Sequence, residues 1–227
     1  MATFEELKKM RGNNSINKLQ NELEKLKKKR EEDTRFWKLT RDTTGNGAAL
    51  IRFLPAPGDE DLPFVRYYSH GFEGPNGWYI ENSLTTLDQP DPAQEYVRTL
   101  YKKKEAGDPI AESILKSEKK NPKRKTHFVS NILMINDPNN PENNGKVFLF
   151  KYGTKIYDKW YQAMNPEVNP LTKKAPKSLD PFCPWLGANF LLRIRDVDSK
   201  PSYDLSAFEL PSPIAEDDDA IKKVLSE

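Results

Sequence analysis

The chain has 227 residues, of which 36% are hydrophobic and 31% charged, a polar composition that still allows a sizeable buried core. Its single cysteine, Cys183, excludes an internal disulfide and a zinc site built from several thiolates. The net charge of +2 hides an asymmetry, because residues 98–125 hold ten Lys or Arg against four Asp or Glu, whereas residues 209–227 hold six acids against two lysines.

Residues 1–35 are predicted to form a basic helical arm. Apolar side chains recur at roughly helical spacing from Phe4 to Leu26, with an interruption from Gly12 to Ser15. The apolar stripe is too narrow for a core of its own, so the arm needs a partner surface. The start of the chain lacks the apolar stretch of a signal peptide, and no run reaches the roughly 18 apolar residues of a membrane span. We therefore expect a soluble, intracellular protein with no membrane partner.

Residues 36–208 are predicted to form a mainly β core with added helices, an α+β fold. Short β-type runs separated by turn residues predict six strands, at 48–54, 64–70, 78–81, 128–135, 147–152 and 190–197. Six short strands suit a small, curved antiparallel sheet or barrel. Two short helices, broken at 107–109, predict an inserted helical lobe over about 83–122.

The rest of the chain is predicted to be helical only in part. Residues 154–164 read as a helix, and 165–184 are rich in Pro and Lys, which favours an irregular connection. Acids at 216–219 precede residues 220–225 and favour a short helix there, because negative charge stabilises a helix N-terminus. Residues 209–227 thus form an acidic C-terminal segment.

The residue pattern gives no support for catalysis. The two histidines, His70 and His127, have no partner in a metal or nucleophile motif, and no phosphate-binding Gly-rich loop with a following Lys occurs. We expect a protein that is not an enzyme.

The most informative segment is the basic run 119–125, which leads directly into the predicted strand 126–131. Positive charge beside an aromatic strand suits single-stranded nucleic acid, since charge neutralises phosphates and aromatic rings stack on unpaired bases. Aromatic residues also stand among basic ones at Arg66-Tyr67-Tyr68, around Lys151, and before residues 102–104. The alternative, a solvated loop followed by an ordinary core strand, stays open for each segment taken alone.

Several collinear motifs between about residues 36 and 203 resemble the helix-destabilising single-stranded DNA-binding proteins of T-even phages. They are ALIRFLP at 49–55, HGF at 70–72, GWYIE at 77–81, KRKT at 123–126, NIL at 131–133, DP at 137–138, PEN at 141–143, GKVF at 145–148 and CPWLGANF at 183–190. The resemblance implies an OB-fold-like antiparallel β-barrel core with an inserted subdomain, and a basic, aromatic-lined cleft with little sequence preference. It implies phosphate contacts from Arg52, Lys123, Arg124 and Lys125, and base stacking or cleft walls from Tyr96, Tyr101, Phe128, Phe150 and Phe190.

The same resemblance implies partners beyond DNA. Family members bind cooperatively through a basic N-terminal arm, for which Lys8, Lys9 and Arg11 are an approximate match here. An acidic C-terminal tail recruits replication and recombination proteins, and the work takes place in the cytoplasm of the infected bacterial host.

One family feature is expected to be missing, namely the zinc site made from one His and three Cys. His70 matches the histidine, but Ser83, Asp91 and Gln94 fall near the cysteine positions. These side chains are poor zinc ligands as a set, so we predict no zinc and no other cofactor.

The sequence therefore predicts a sequence-independent single-stranded DNA-binding protein that coats and protects DNA in phage replication, recombination and repair. Two alternatives stay open: an OB-fold adaptor that docks other proteins, and a single-stranded RNA binder, because stacking and phosphate contacts do not by themselves distinguish the sugars.

Overall fold

A computed structural model of the protein describes residues 19–20, 33–58, 60–168 and 170–226. The chain divides into two compact units, residues 1–34 and 35–227. Of the predicted arm only Leu19, Gln20 and residues 33–35 are described, so Lys8, Lys9 and Arg11 lie outside the described residues. The strands and helices given below all belong to the second unit.

Nine strands of the described residues form one sheet. They are β1 Phe36–Trp37, β2 Gly47–Phe53, β3 Val65–Gly74, β4 Gly77–Asn82, β5 Lys125–Asn136, β6 Val147–Tyr152, β7 Phe190–Val197, β8 Lys200–Ser202 and β9 Ala207–Phe208. The main path runs β1-β6-β5-β2-β7-β8, while β3 pairs with β5 and β4, and β9 pairs with β7. The pair of β1 and β6 is parallel and the other pairs are antiparallel.

The six predicted strands are confirmed, and the mixed α+β class with them. The predicted closure into a barrel is not confirmed. Among the described residues, no pairing joins β1 and β8, the strands at the two ends of the main path. The three strands that were not predicted, β1, β8 and β9, have only two or three residues each.

Four α-helices lie in the described part of the second unit: α1 Pro92–Glu105, α2 Pro109–Lys116, α3 Thr154–Met164 and α4 Asp218–Leu225. Asp91, Asp108 and Asp217 cap α1, α2 and α4 through side-chain bonds to backbone N–H groups in the first turn. The predicted helices in the lobe, at 154–164 and near the C-terminus are therefore confirmed. No helix in the described ranges is both long enough and apolar enough to cross a membrane.

The core is rich in aromatic side chains from β2, β5, β6, β7 and α3. Phe53 contacts Tyr152, Phe182 and Phe190 at centroid distances of 5.6–5.8 Å. On the side of α3, Tyr157 stacks on Phe128 with centroids 4.4 Å apart. Such ring pairs add specific geometry to the hydrophobic gain of burial, and they fix α3 against the sheet.

Strand β5 joins the core to the lobe. Its residues from Ile132 onward pair with β2, whereas the segment from Lys125 to Val129 pairs with β3. The lobe follows the β3–β4 hairpin and ends where the basic run enters β5. This placement brings the basic run next to β3 and the start of the lobe.

Candidate nucleic-acid interface

Strands β3 and β5 sort their basic and aromatic residues onto two faces of the sheet. Tyr68 pairs with Thr126 and Arg66 pairs with Phe128, so these residues share one face. Tyr67 pairs with His127 and lies on the opposite face, because successive side chains of a strand alternate.

Arg66 and Tyr68 border a cleft of about 520 Å³, here called the arginine cleft. Three arginines line it: Arg66 from β3, Arg98 from α1 and Arg124 just before β5. Tyr68, Thr85, Thr86 and Asp88 are also part of its wall. Three guanidinium groups against one carboxylate make the cleft electropositive, and guanidinium groups present several donors suited to phosphate oxygens.

The Arg124 guanidinium lies over the Tyr68 ring, with its central carbon 3.9 Å from the ring centroid. The corresponding distance for Arg66 is 5.7 Å. The Arg124 guanidinium covers one face of the phenol ring, and a guanidinium stacked in this way can present its own flat face to a base and its N–H groups to a phosphate. The cleft therefore combines the two kinds of contact that a single strand needs.

A second set of residues on the opposite face is here called the outer cluster. The Tyr67 and His127 rings lie 5.0 Å apart at an angle of 31°, and Lys151 Nζ lies 5.1 Å from the Tyr67 centroid. Burial lowers the pKa of His127, and the nearby Lys151 and Lys125 lower it further, to about 4. His127 is therefore neutral at physiological pH, where it is a stacking partner and not a cation.

A buried hydrogen-bond network joins β3 to the lobe beside the arginine cleft. His70, Ser83 and Asp91 are each at most 5% exposed. Asp91 Oδ2 lies 3.1 Å from His70 Nε2 and accepts bonds from the Ser83 hydroxyl and the Leu84 N–H. Its Oδ1 accepts the N–H groups of residues 93 and 94, and His70 Nδ1 lies 2.8 Å from the Pro122 carbonyl oxygen. The network joins β3, the first turn of α1 and the basic run.

A family model described as gp32 DNA binding protein like matches residues 45–227. The chain belongs to this family. The matched range contains the arginine cleft, the outer cluster and the buried lobe network, so the features described above lie within the part that this gp32-like chain shares with its family.

Curated relatives of this gp32-like chain carry the name single-stranded DNA-binding protein. Those of Enterobacteria phages T2 and T4 are 37% identical over 205 residues, which is 86% of this chain and 62% of each relative. That of Escherichia phage SV14 is 46% identical over 68 residues, or 29% of this chain and 60% of the relative. The chain thus spans about three fifths of the length of the relatives that it matches.

The predicted basic contacts do not all lie together. Arg124 lines the arginine cleft, and Lys123, the residue before Arg124 in the sequence, is exposed. Lys125 is exposed and pairs with Ser69 across the strands, which puts it on the face of the outer cluster. The neighbouring residues Arg124 and Lys125 therefore lie on different sides of the sheet.

Arg52 is placed differently from the predicted phosphate contact. Its side chain is fully buried, and its Nη2 donates to the Cys183 carbonyl oxygen at 2.8 Å. Burial lowers the pKa of its guanidinium, against the opposing influence of Cys183 and Asp180. A group without solvent access makes no direct phosphate contact in this conformation, so Arg52 is corrected to a structural role that holds the loop around Cys183 against β2.

The three predicted phenylalanines are core residues in this gp32-like chain. Phe128, Phe150 and Phe190 are 4%, 6% and 0% exposed, and all belong to the main apolar cluster. The resemblance implies base stacking or cleft walls for these rings, and their burial leaves no ring face open to a base in this structure. Tyr68 and Tyr67, which the sequence showed beside Arg66, are the rings that lie next to positive charge at the surface.

Tyr96 and Tyr101 are both partly exposed on α1, at 46% and 41%. Tyr101 is three residues from Arg98 and so lies on the same side of the helix as that arginine. Tyr96 instead lines a separate groove of about 910 Å³ with Phe72, Ile110 and Ile114. Tyr101 is therefore the better placed of the two for contact with a strand in the arginine cleft.

The family zinc site does not fit the residues present here. Both ring nitrogens of His70 face oxygen acceptors, and the Asp91 carboxylate already interacts with five donors. The buried Gln94 Oε1 is an amide oxygen, and the described lobe residues offer no thiolate. Zinc favours a tetrahedral set of imidazole and thiolate ligands, which this hydrogen-bonded arrangement does not provide.

Arg98, Thr85 and Thr86 are cleft residues that the sequence reasoning missed. Arg98 stands in the basic stretch 98–125, so composition indicates a basic segment there but not the side of the helix on which Arg98 lies. The two threonines carry no sequence signal, since their role depends on a 3-10 helix at Leu84–Leu87 that contacts β3.

Proposed function

We propose that this chain binds single-stranded DNA without sequence preference and coats and protects it in phage replication, recombination and repair. The observation that carries the proposal is the arginine cleft, which Arg66, Arg98 and Arg124 line together with Tyr68 and in which the Arg124 guanidinium lies over the Tyr68 ring. Membership of the gp32-like family and the names of the T2 and T4 relatives support the same function. Binding by charge and stacking requires no catalytic group, so the proposed function is not enzymatic.

Finer features of the proposal follow from the family resemblance. The curved sheet is proposed to be an OB-like core over residues 36–208, with the lobe at about 83–122 as its insertion. Residues 1–35, with Lys8, Lys9 and Arg11, are proposed to mediate contact with neighbouring copies along the strand. The acidic segment 209–227 is proposed to bind replication and recombination proteins, in the cytoplasm of the infected host.

The lobe is proposed to work without zinc or another cofactor. Its support is the misfit between a tetrahedral zinc site and the hydrogen-bonded His70, Ser83 and Asp91. Metal analysis of the purified protein checks this point, and one zinc per chain would contradict it.

The test of the main function is fluorescence anisotropy of a labelled oligo-dT, titrated with the protein at several salt concentrations. We expect tight binding that weakens steeply with salt, because contact with phosphates releases counterions. A duplex of equal length should bind much more weakly, since its bases are not free to stack. Equal binding of single strand and duplex would reject the proposal, and a preference for oligo-U would indicate RNA.

A pair of double variants tests whether the arginine cleft is the binding surface. Arg66→Ala/Arg98→Ala should lower affinity at least tenfold and reduce the salt slope by roughly 0.7 for each lost phosphate contact. Lys116→Ala/Lys222→Ala is the matched control, because it removes the same charge from side chains that are 73% and 76% exposed elsewhere. Equal losses in the two variants would show that net charge, and not the cleft, determines binding.

A further inference from the structure

A continuous row of side-chain hydrogen bonds connects Arg124 in the arginine cleft to the buried Asp91. Arg124 Nη1 donates to Thr85 Oγ1, the Thr85 and Ser83 hydroxyl oxygens lie 2.9 Å apart, and Ser83 Oγ donates to Asp91 Oδ2. The row crosses from a partly buried surface residue to a carboxylate that is 5% exposed.

The chemistry of the two ends fixes the direction of every bond in this row. A guanidinium group has donors and no acceptor, so Thr85 Oγ1 accepts from Arg124. The single Thr85 proton is then free to go to Ser83, and the Ser83 proton goes to the Asp91 carboxylate. Each hydroxyl both accepts and donates, and bonds aligned in this way polarise and strengthen one another.

The same short segment also holds the aromatic partner of Arg124. The Thr86 hydroxyl oxygen accepts the Tyr68 N–H at 3.0 Å, and the Tyr68 carbonyl oxygen accepts the Ser83 N–H at 2.9 Å. Residues 83–86 therefore fix both the strand position of Tyr68 and the guanidinium that lies over its ring. A long arginine side chain loses rotamer freedom when it binds a ligand, and an arrangement fixed in advance reduces that loss.

We propose that Thr85, Ser83 and Asp91 are positioning residues that hold Arg124 ready for the DNA strand. The inference rests on the proposed function and adds to it which buried groups set the geometry of the cleft. None of the three needs to touch DNA. Their contribution to binding passes through Arg124.

The decisive variant is Thr85→Val, which keeps the side-chain shape and removes the hydroxyl group. We expect a five- to tenfold weaker affinity for oligo-dT with an unchanged salt slope, because the charge of Arg124 is still present. Thr85→Ser restores a hydroxyl and should recover most of the affinity. Thr99→Val is the matched control, since within the described part of the chain the Thr99 hydroxyl bonds only to the Glu95 carbonyl oxygen of its own helix.

A double-variant cycle separates positioning from a general effect on folding. In the background of Arg124→Ala, Thr85→Val should cause no further loss of affinity, and Ser83→Ala should behave in the same way. An equal loss in both backgrounds, or no loss from Thr85→Val alone, would overturn the positioning role and leave the cleft intact. An unchanged affinity of Arg124→Ala itself would overturn the proposed binding surface and, with it, the positioning role.

Discussion

At the scale of single residues, Arg52 and Arg124 place the same guanidinium group in opposite surroundings. Arg52 is fully buried, and its Nε and Nη1 have no hydrogen-bond partner among the residues that the structure describes. Arg124 lies over an aromatic ring at the edge of an open cleft. A ligand reaches only the second group, so the surroundings, and not the residue type, decide which arginine serves binding.

Replacement of Arg52 by alanine should therefore affect stability and not the charge of the binding surface. We expect Arg52→Ala to lower the free energy of unfolding by about 2–4 kcal/mol, because it leaves a cavity and removes the hydrogen bond that links β2 to the Cys183 carbonyl oxygen. Urea denaturation measures the loss, and the salt slope of oligo-dT binding should stay unchanged. Arg66→Ala should instead reduce the salt slope and leave the free energy of unfolding nearly unchanged. A reduced salt slope in Arg52→Ala would contradict the structural role.

The residue scale also shows where sequence reasoning reaches its limit. The mixture of basic and aromatic residues was visible in the sequence, and the position of Arg124 within it was predicted. Only the family resemblance implies that Phe128, Phe150 and Phe190 stack on bases or line the cleft, because strand alternation gives two faces without saying which is buried. That choice depends on α3, whose Tyr157 covers Phe128 and makes its face the core.

At the scale of elements, the first turn of α1 depends on the Asp91 carboxylate. Burial raises the pKa of Asp91, but hydrogen bonds from Ser83, the Gln94 N–H and His70 outweigh it and lower the pKa to about 2. The ionised form is thus favoured in the folded state relative to the unfolded chain. The resulting stability is present above the ordinary pKa of 3.8 and is lost as the pH falls through about 2.

Asp91→Asn should remove this acid-sensitive part of the stability while it keeps a good helix cap. We expect the variant to be less stable at neutral pH by on the order of 2 kcal/mol. The difference from the parent protein should shrink between pH 4 and pH 2, as measured by urea denaturation at each pH. A difference that stays constant over this range would show that the charge of Asp91 is not the cause.

Element prediction worked where a segment had a clear period or boundary and failed where it did not. Strands β2 to β7 have six or more residues, which is long enough for a β-type pattern to be recognised in the sequence. Helices α1 and α2 each begin at an Asp-Pro pair, which is a recognisable helix start. Strand β1 has two residues and pairs with β6 more than 100 positions away, which no local pattern reveals. Closure of the sheet is likewise a long-range property.

At the scale of the whole molecule, β5 links the core strand β2 to β3, and the lobe is hydrogen-bonded to β3 through Asp91 and His70. The start of β5 pairs with β3 and its later part with β2. On its other edge, residues 128–133 of β5 pair with β6. A change that loosens the lobe therefore disturbs the same strand that the core needs. We infer that residues 35–226 unfold in a single cooperative step.

Leu100→Ala tests this coupling, because Leu100 is a buried lobe residue that is 3% exposed. We expect a loss of about 2–4 kcal/mol in a single transition, with coincident curves from far-UV circular dichroism and tryptophan fluorescence. Leu87→Ala is the control, since Leu87 is 68% exposed and its truncation should cost little. Separate transitions from the two probes would mean that the lobe unfolds by itself.

The position of β2 in the sheet has a consequence for the order of folding during synthesis. Strand β2 lies between β5 and β7, and Ile51 pairs with Phe190. At roughly 5–20 residues per second, the ribosome needs on the order of ten seconds to make the intervening chain of about 140 residues. Throughout that time the edge of β2 that pairs with β7 has no partner strand, so the nascent chain exposes the edge of an apolar strand even after β2 has paired with β5.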